Sequence, residues 1–215
     1  MEQVTAVIFD WDETLAQTRP VVVRVIEEVL SKYKLGDWET VKKKRDPMKS
    51  FKNNFSNYFG EYAEEAYTCY VDLYRNACHE AKLSDGAEEI TAFLQQKNIR
   101  QFIVSNKETE LLKKEVTNLL PEINFVNIIG ANDCKRNKPY PDQVFKALEN
   151  TEVNIDNDNV LFVGDSMQDV ECAYASGCKA IVVGDSDLIS QSYIGSKKDL
   201  TVLASFYDLQ EYFNK

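Results

Sequence analysis

Val4-Thr5-Ala6-Val7-Ile8-Phe9-Asp10-Trp11-Asp12-Glu13-Thr14-Leu15 is the stretch on which the reading of this chain turns. Its apolar run, broken only by Thr5, has the pattern of a strand buried in a parallel sheet. It ends in two aspartates spaced one residue apart. Ligands of open α/β sheets bind outside the carboxyl ends of the strands, which is where Asp10 and Asp12 emerge. Two acids there can converge on one metal ion or one phosphate. An Asx turn closing the strand accounts for one aspartate but gives no reason for two.

Downstream the pattern becomes helical. Pro20 suits a first helical turn, and Val21, Val25, Val29 and Leu30 share one face of the helix. Gly36 marks a break, and 38–45 reads as another helix stopped before Pro47. Phe51, Phe55, Tyr58 and Phe59 form an aromatic stripe at helical spacing, read as core rather than as a cofactor box. A long helical pattern follows over 61–82, so the region from about Arg19 to Lys82 is expected to be helical without strands.

From Leu83 onward strands and helices alternate. Asp85-Gly86 is a turn signal. Helices are expected over 87–97, 107–120, 141–150, 168–176 and 206–213, and strands over 101–104, 125–129, 160–163 and 179–183. Gly177 caps the fourth of these helices. Alternation of this kind implies a parallel sheet with right-handed crossovers. The organisation is therefore a Rossmann-like α/β core made discontinuously from 1–17 and 84–215, interrupted by a helical cap over 18–83. The junctions near Gln17-Thr18 and Ser84-Asp85 are the expected hinges. An insertion placed directly after a strand's carboxyl end lies over the ligand crevice and can act as a lid.

Composition narrows the function. The 215 residues are 44% apolar and 28% charged, near globular averages. No apolar run is long enough to span a membrane and no secretory leader is visible, so a soluble, cytoplasmic protein without a membrane partner is expected. A formal net charge of −10 argues against nucleic acid as a partner and is compatible with divalent cations held by carboxylates. Five cysteines without a Cys-x-x-Cys pair read as reduced thiols. The lone histidine, His79, has no evident orienting partner and reads as structural, which nearly excludes a histidine-ligated metal centre.

Four features lie at or near strand ends: Asp10 with Asp12, Ser105, Lys138, and Asp165 with Asp169. A carboxylate trio suits a hard cation such as Mg²⁺. Lys138 adds a point charge and Ser105 a hydroxyl donor, so the set can hold a phosphomonoester and stabilise charge during transfer. Ser105 and Asn106 have a second reading as caps of the helix expected from Lys107. Lys138 competes with Lys135 and Arg136. A second Gly184-Asp185-Ser186 lacks an acid equivalent to Asp169, since Ile189 stands there, and reads as a turn.

Phe9-Asp10-Trp11-Asp12-Glu13-Thr14-Leu15, Val104-Ser105-Asn106, Lys138-Pro139 and Val163-Gly164-Asp165-Ser166-Met167-Gln168-Asp169 resemble, in order, the four motifs of the haloacid dehalogenase-like hydrolase superfamily. The helical insertion resembles the cap of its phosphoglycolate phosphatase and phosphomutase branch. The resemblance implies Asp10 as nucleophile, and Asp12 as acid and base whose backbone carbonyl also contacts Mg²⁺. It implies Thr14 and Ser105 as phosphoryl holders with the Asn106 amide nearby, and Lys138 as counter-charge. Asp165 would ligate Mg²⁺ beside Asp10, and Asp169 would ligate it or orient its waters.

Two residues depart from the family pattern. Glu13 replaces a usual glycine, so it either strains the turn or faces the cap. Trp11 replaces smaller apolar residues and is expected to narrow the entrance or pack on the cap. The presence of Asp12 points to phosphate chemistry rather than dehalogenation. The expected activity is Mg²⁺-dependent hydrolysis of a small phosphorylated metabolite. The alternatives are a sugar-phosphate mutase, disfavoured by Thr18 and Arg19 where that branch has a cap histidine, and a non-catalytic phosphate-binding module. The basic run Lys42-Lys43-Lys44-Arg45, with Lys49 and Lys52, is either a solvated helix face or a docking patch for an anionic substrate, for which Arg19 is another candidate.

Overall fold

In a computed structural model, which describes residues 4–156, 159–184, 195 and 200–214, the opening stretch forms β1 (Val4–Phe9) at the interior of a parallel sheet. The other strands are β4 (Arg100–Val104), β5 (Asn127–Ile129), β6 (Asn159–Gly164), β7 (Lys179–Val183) and β8 (Thr201–Leu203). Among the described residues the order is β5-β4-β1-β6-β7-β8, with every neighbouring pair parallel. The chain builds outward from β1 to one side and then crosses to the other. The crevice at such a reversal is where ligands of α/β sheets sit.

The alternation of side chains along each strand explains why these strands read as unbroken apolar runs. Ala6, Ile8, Phe102, Val104, Val160 and Phe162 point to one face. There they meet α7 (Asp142–Leu148) and α8 (Met167–Ser176). Val7, Phe9, Ile103, Leu161 and Val163 point to the opposite face. They pack on α5 (Ala87–Gln96), α6 (Thr109–Leu119) and α9 (Phe206–Phe213). With helices on both faces, neither register position faces water.

Between β1 and α5 the chain makes α1 (Arg19–Tyr33), α2 (Trp38–Val41), α3 (Phe51–Phe59) and α4 (Ala63–Ala77). They enclose a separate core of Val25, Ile26, Leu30, Phe55, Tyr58 and Tyr74. The aromatic stripe belongs to this core: Phe55 stacks on Phe59 at 5.0 Å and meets Tyr67 edge-on at 5.0 Å. Leu111 of α6 joins the same cluster, so the helical block is seated on the sheet-bearing part.

Several boundaries differ from the sequence reading. The expectation of no strand from about Arg19 to Lys82 fails at its last residue, and a strand not foreseen precedes it: β3 (Lys82–Leu83) pairs antiparallel with β2 (Ala16–Gln17), tying the two junctions of the helical block into one ribbon. Two-residue strands form because a partner strand is adjacent, and no propensity signals them. The helix expected over 38–45 is α-helical only to Val41, then tightens to a 3₁₀ turn at Lys42–Lys44. The long pattern over 61–82 likewise opens in a 3₁₀ turn, Gly60–Tyr62, becomes α-helical only at Ala63 and closes in a 3₁₀ turn, Cys78–Glu80.

The helix expected from Lys107 begins instead at Thr109, capped by the Glu108 side chain on Leu111 N. Ser105 and Asn106 are therefore not its caps. The strand expected from 125 starts at Asn127, and the helix expected over 141–150 spans Asp142–Leu148. β8 was not foreseen. Asp185 and Ser186 lie outside the described residues. No helix among the described residues is long and apolar enough to cross a membrane.

Candidate active site

The pairing of β1 with β6 brings the two acidic motifs together. Phe9 is in register with Val163, and Asp10 N donates to Val163 O at 2.9 Å. Asp10 and Asp165 thus leave neighbouring strands at the same level. One carboxylate oxygen each from Asp10, Asp165 and Asp169 lies within 4.8 Å of the others. Asp169 sits on the first turn of α8, where Ser166 N and Ser166 Oγ donate to its Oδ2 at 3.0 and 2.5 Å. It reaches back over Gly164, where an added Cβ would come within 2.4 Å of Asp169 Cβ and Cγ. Glycine is required there by this close approach.

Two of the three carboxylates pair with one buried cation. Lys138 Nζ lies 2.6 Å from Asp10 Oδ1 and 2.6 Å from Asp169 Oδ1. Burial, then the charge of Asp169, push the Asp10 carboxyl from 3.8 to about 7 against the pull of Lys138. Burial, then Asp169 and Asp10, hold the half-buried Asp165 carboxyl well above its usual range. Burial works against the Lys138 ammonium too, but Asp10 and Asp169 outweigh it and keep the lysine charged. An all-oxygen set of this geometry, with excess negative charge opposed by burial, fits a hard divalent cation.

Among the competing basic residues, Lys138 is the one in the site. Arg136 pairs with Asp142 at the surface and Lys135 is exposed. Buried Gln143 holds the Lys138 loop: its Oε1 accepts from Lys138 N at 3.0 Å, and its Nε2 donates to Ser105 O at 2.7 Å and Gly130 O at 3.1 Å. Ser105 is buried, and its Oγ accepts from Lys107 N at 3.1 Å. Asn106 Nδ2 donates to Lys138 O at 3.0 Å and to Gln168 Oε1 at 2.8 Å. The Asn106 Nδ2 is thus engaged with protein partners, whereas its buried Oδ1 has none among the described residues.

The turn after β1 answers the two departures. Glu13 has φ +62°, the left-handed region where non-glycine residues are uncommon. Its Oε1 accepts from Thr18 N at 3.0 Å and Arg19 N at 2.7 Å, with Arg19 Nε 3.3 Å from Oε2. Glu13 both strains the turn and caps the first helix of the block. Trp11, by contrast, does not reach the surface and so does not narrow an entrance. It is fully buried in the core beneath the sheet face of α5 and α6, and its Nε1 donates to Glu115 Oε2 at 2.7 Å. Thr14 is buried with its Oγ1 lacking a protein partner among the described residues, as suits a hydroxyl that awaits a ligand oxygen.

Asp12 stands apart from the trio. Its Oδ1 accepts from Thr18 Oγ1 at 2.6 Å and from Lys107 Nζ at 2.7 Å. Lys107, Glu115, Tyr74 and Gln168 had no role in the sequence reading. Glu115 offered a signal: it is an acid inside the buried stripe Leu111, Leu112, Glu115, Val116 of α6. Gln168 Nε2 donates to Pro47 O at 2.8 Å and Lys49 O at 2.9 Å, fastening the loop that follows α2 to the edge of the site. The basic run 42–45 is exposed, with Lys42 paired to Glu39, and His79 is exposed as well. All five cysteines are free thiols.

Residues 7–183 match the family described as haloacid dehalogenase-like hydrolase. PpaX of Caldanaerobacter subterraneus subsp. tengcongensis, named provisionally as a pyrophosphatase, is 28% identical over 184 residues. That match covers 84% of this chain and 82% of PpaX. The phosphoglycolate phosphatase of Escherichia coli K12 is 30% identical over 127 residues, 59% of this chain and 44% of that protein. In fold, a crystal structure from Bacteroides fragilis assigned provisionally to the same hydrolases superposes with a TM-score of 0.83 at 22% identity. It covers 96% of this chain and 100% of its own.

Proposed function

The chain belongs to the haloacid dehalogenase-like hydrolase family, and on that premise we propose that it is a magnesium-dependent phosphatase acting on a small phosphomonoester through an aspartyl-phosphate. The observation that supports this most is the meeting of Asp10, Asp165, Asp169 and Lys138 at adjacent strand ends. Asp10, Asp165 and Asp169, with the Asp12 backbone carbonyl, are the groups that would hold Mg²⁺. Bound there, the ion would offset charge on the nucleophile and on the phosphoryl oxygens.

The chain's own residues supply the rest. An Asp10 carboxylate oxygen attacks phosphorus while the bond from phosphorus to the ester oxygen breaks. The ester oxygen keeps that electron pair and takes a proton from Asp12, so an alcohol leaves. Water then attacks the acyl phosphate, Asp12 takes its proton, and the bond from phosphorus to Asp10 breaks. Inorganic phosphate departs and Asp10 is regenerated. Thr14 Oγ1 and Ser105 Oγ would hold the phosphoryl oxygens, with the Asn106 backbone amide beside them. Lys138 fixes the Asp10 carboxylate and its charge.

The helical block over 18–83 would serve as the cap, with the β2–β3 ribbon as its hinge and the loop held by Gln168 at its rim. The names of the relatives support a small phosphorylated substrate. The test is release of inorganic phosphate from p-nitrophenyl phosphate. Release should require Mg²⁺, stop with a chelator, and vanish in Asp10→Asn. Release that persists in Asp10→Asn would refute the mechanism.

A further inference from the structure

Asp12 is held on one side only. Its Oδ1 receives Lys107 Nζ at 2.7 Å and Thr18 Oγ1 at 2.6 Å, whereas its Oδ2 has no hydrogen-bond partner among the described residues. Lys107 is held in turn. Its ammonium lies 3.1 Å from Glu115 Oε2 and donates to Tyr74 OH at 3.1 Å, while sitting 4.5 Å from the centre of the Tyr74 ring. Glu115 is fully buried, and both its oxygens are used: Trp11 Nε1 at 2.7 Å on Oε2 and Tyr74 OH at 2.8 Å on Oε1.

An ion pair with one member fully buried, and with every neighbour hydrogen-bonded, is costly to assemble for stability alone. An apolar stripe on α6 would pack without it. The arrangement also spans three parts of the chain. Trp11 lies in the turn between the two aspartates, Lys107 and Glu115 flank and form α6, and Tyr74 belongs to α4 of the helical block.

Building on the phosphatase reading, we propose that Lys107 is a positioning residue for Asp12. Seated by Glu115, Trp11 and Tyr74, it pins Oδ1 and leaves Oδ2 to present the proton to the leaving oxygen. Because Tyr74 comes from the helical block, the pin is complete only when that block is seated on α6. A general acid is useful only within hydrogen-bond reach of the oxygen it serves, and a displacement of about 1 Å can cost on the order of a hundredfold in rate.

The test compares leaving groups. Phenyl phosphate and p-nitrophenyl phosphate have nearly the same shape, but phenolate needs a proton far more than nitrophenolate does. The ratio of their kcat/KM values therefore reports the service of Asp12, and effects on binding cancel. Lys107→Met should lower kcat/KM for phenyl phosphate by about tenfold more than for p-nitrophenyl phosphate, a part of the full general-acid contribution. Tyr74→Phe, which removes one hydroxyl, should move the ratio in the same direction by a smaller factor, and it serves if Lys107→Met does not fold.

Equal losses on both substrates in the folded variants would show a merely structural ion pair and overturn the proposal. Asp10→Asn separates this from failure of the phosphatase reading. If it abolishes both activities, equal losses in Lys107→Met and Tyr74→Phe count against the positioning role alone. If it leaves them, both proposals fall.

Discussion

Replacing Asp10 by Asn should stabilise the metal-free protein while destroying its activity. The residue is 6% exposed, its side chain faces Asp165 and Asp169, and it shares Lys138 with Asp169. Burial and Asp169 raise its carboxyl from 3.8 to about 7. At about 1.36 kcal/mol per pKa unit, keeping it ionised inside the fold costs roughly 4 kcal/mol above pH 7, an order-of-magnitude ceiling. Asn has the same shape, remains an acceptor for Lys138 and never ionises.

The sign follows from linkage. With the folded value above the unfolded one, the fold holds the proton more tightly, so the stabilisation is full below about pH 4. It is lost as pH rises through about 7. Asp10→Asn escapes that loss. In a chelator at pH 8 it should be more stable than wild type by about 2–4 kcal/mol, or roughly 5–15 °C in Tm for a chain of this length. At pH 5 the advantage should shrink to less than about half, and near pH 4 it should almost vanish. Added Mg²⁺ should raise the wild-type Tm more than that of the variant, because ligand binding to the folded state stabilises it. Urea titrations and thermal scans at the two pH values decide the matter. Superimposable stability at pH 8 in chelator, or an advantage unchanged at pH 5, would refute the reasoning.

Glu13→Ala removes the acceptor for Thr18 N and Arg19 N but leaves the backbone at φ +62°. A loss of about 1–2 kcal/mol in urea is expected. Glu13→Gly loses the same acceptor but relieves the strain, so it should cost less; equal losses would contradict the assignment of strain. Gly164→Ala places a Cβ against Asp169 at 2.4 Å. Displacing Asp169 should weaken Mg²⁺ about ten- to a hundredfold by titration calorimetry, and wild-type affinity in a folded variant would show that Asp169 is dispensable to the ion.

The strand, its two aspartates and the second acidic motif were legible in the sequence because their signals are local. An apolar run of strand length, punctuated by acids or by Gly-Asp-Ser, needs no partner to be recognised. Lys138 is preferred over Lys135 and Arg136 through the family resemblance, whose lysine precedes a proline as Lys138 precedes Pro139, and it is the one buried between Asp10 and Asp169. The stripe of Phe51, Phe55, Tyr58 and Phe59 was legible as core because helical spacing places these rings on one side.

What remained hidden involved partners distant along the chain. β2 and β3 are two residues each, too short for any propensity, and exist through their pairing. The side chain of Trp11 could not be aimed from its position alone, since its direction is set by Glu115, 104 residues further on. Lys107 stood in the sequence only as the expected start of a helix, and Tyr74 as an unmarked residue within the helical pattern over 61–82.

The sequence by itself marked the candidate groups for chemistry and placed Asp10, Ser105 and Asp165 at or just past strand ends, because periodicity and spacing act over a few residues. Only the tertiary structure decided which of those groups meet. The register of Phe9 with Val163 sets Asp10 beside Asp165, and the seating of α4 on α6 closes Tyr74 and Glu115 around Lys107. Both depend on burial and hydrogen bonding between segments that are remote until the sheet has formed.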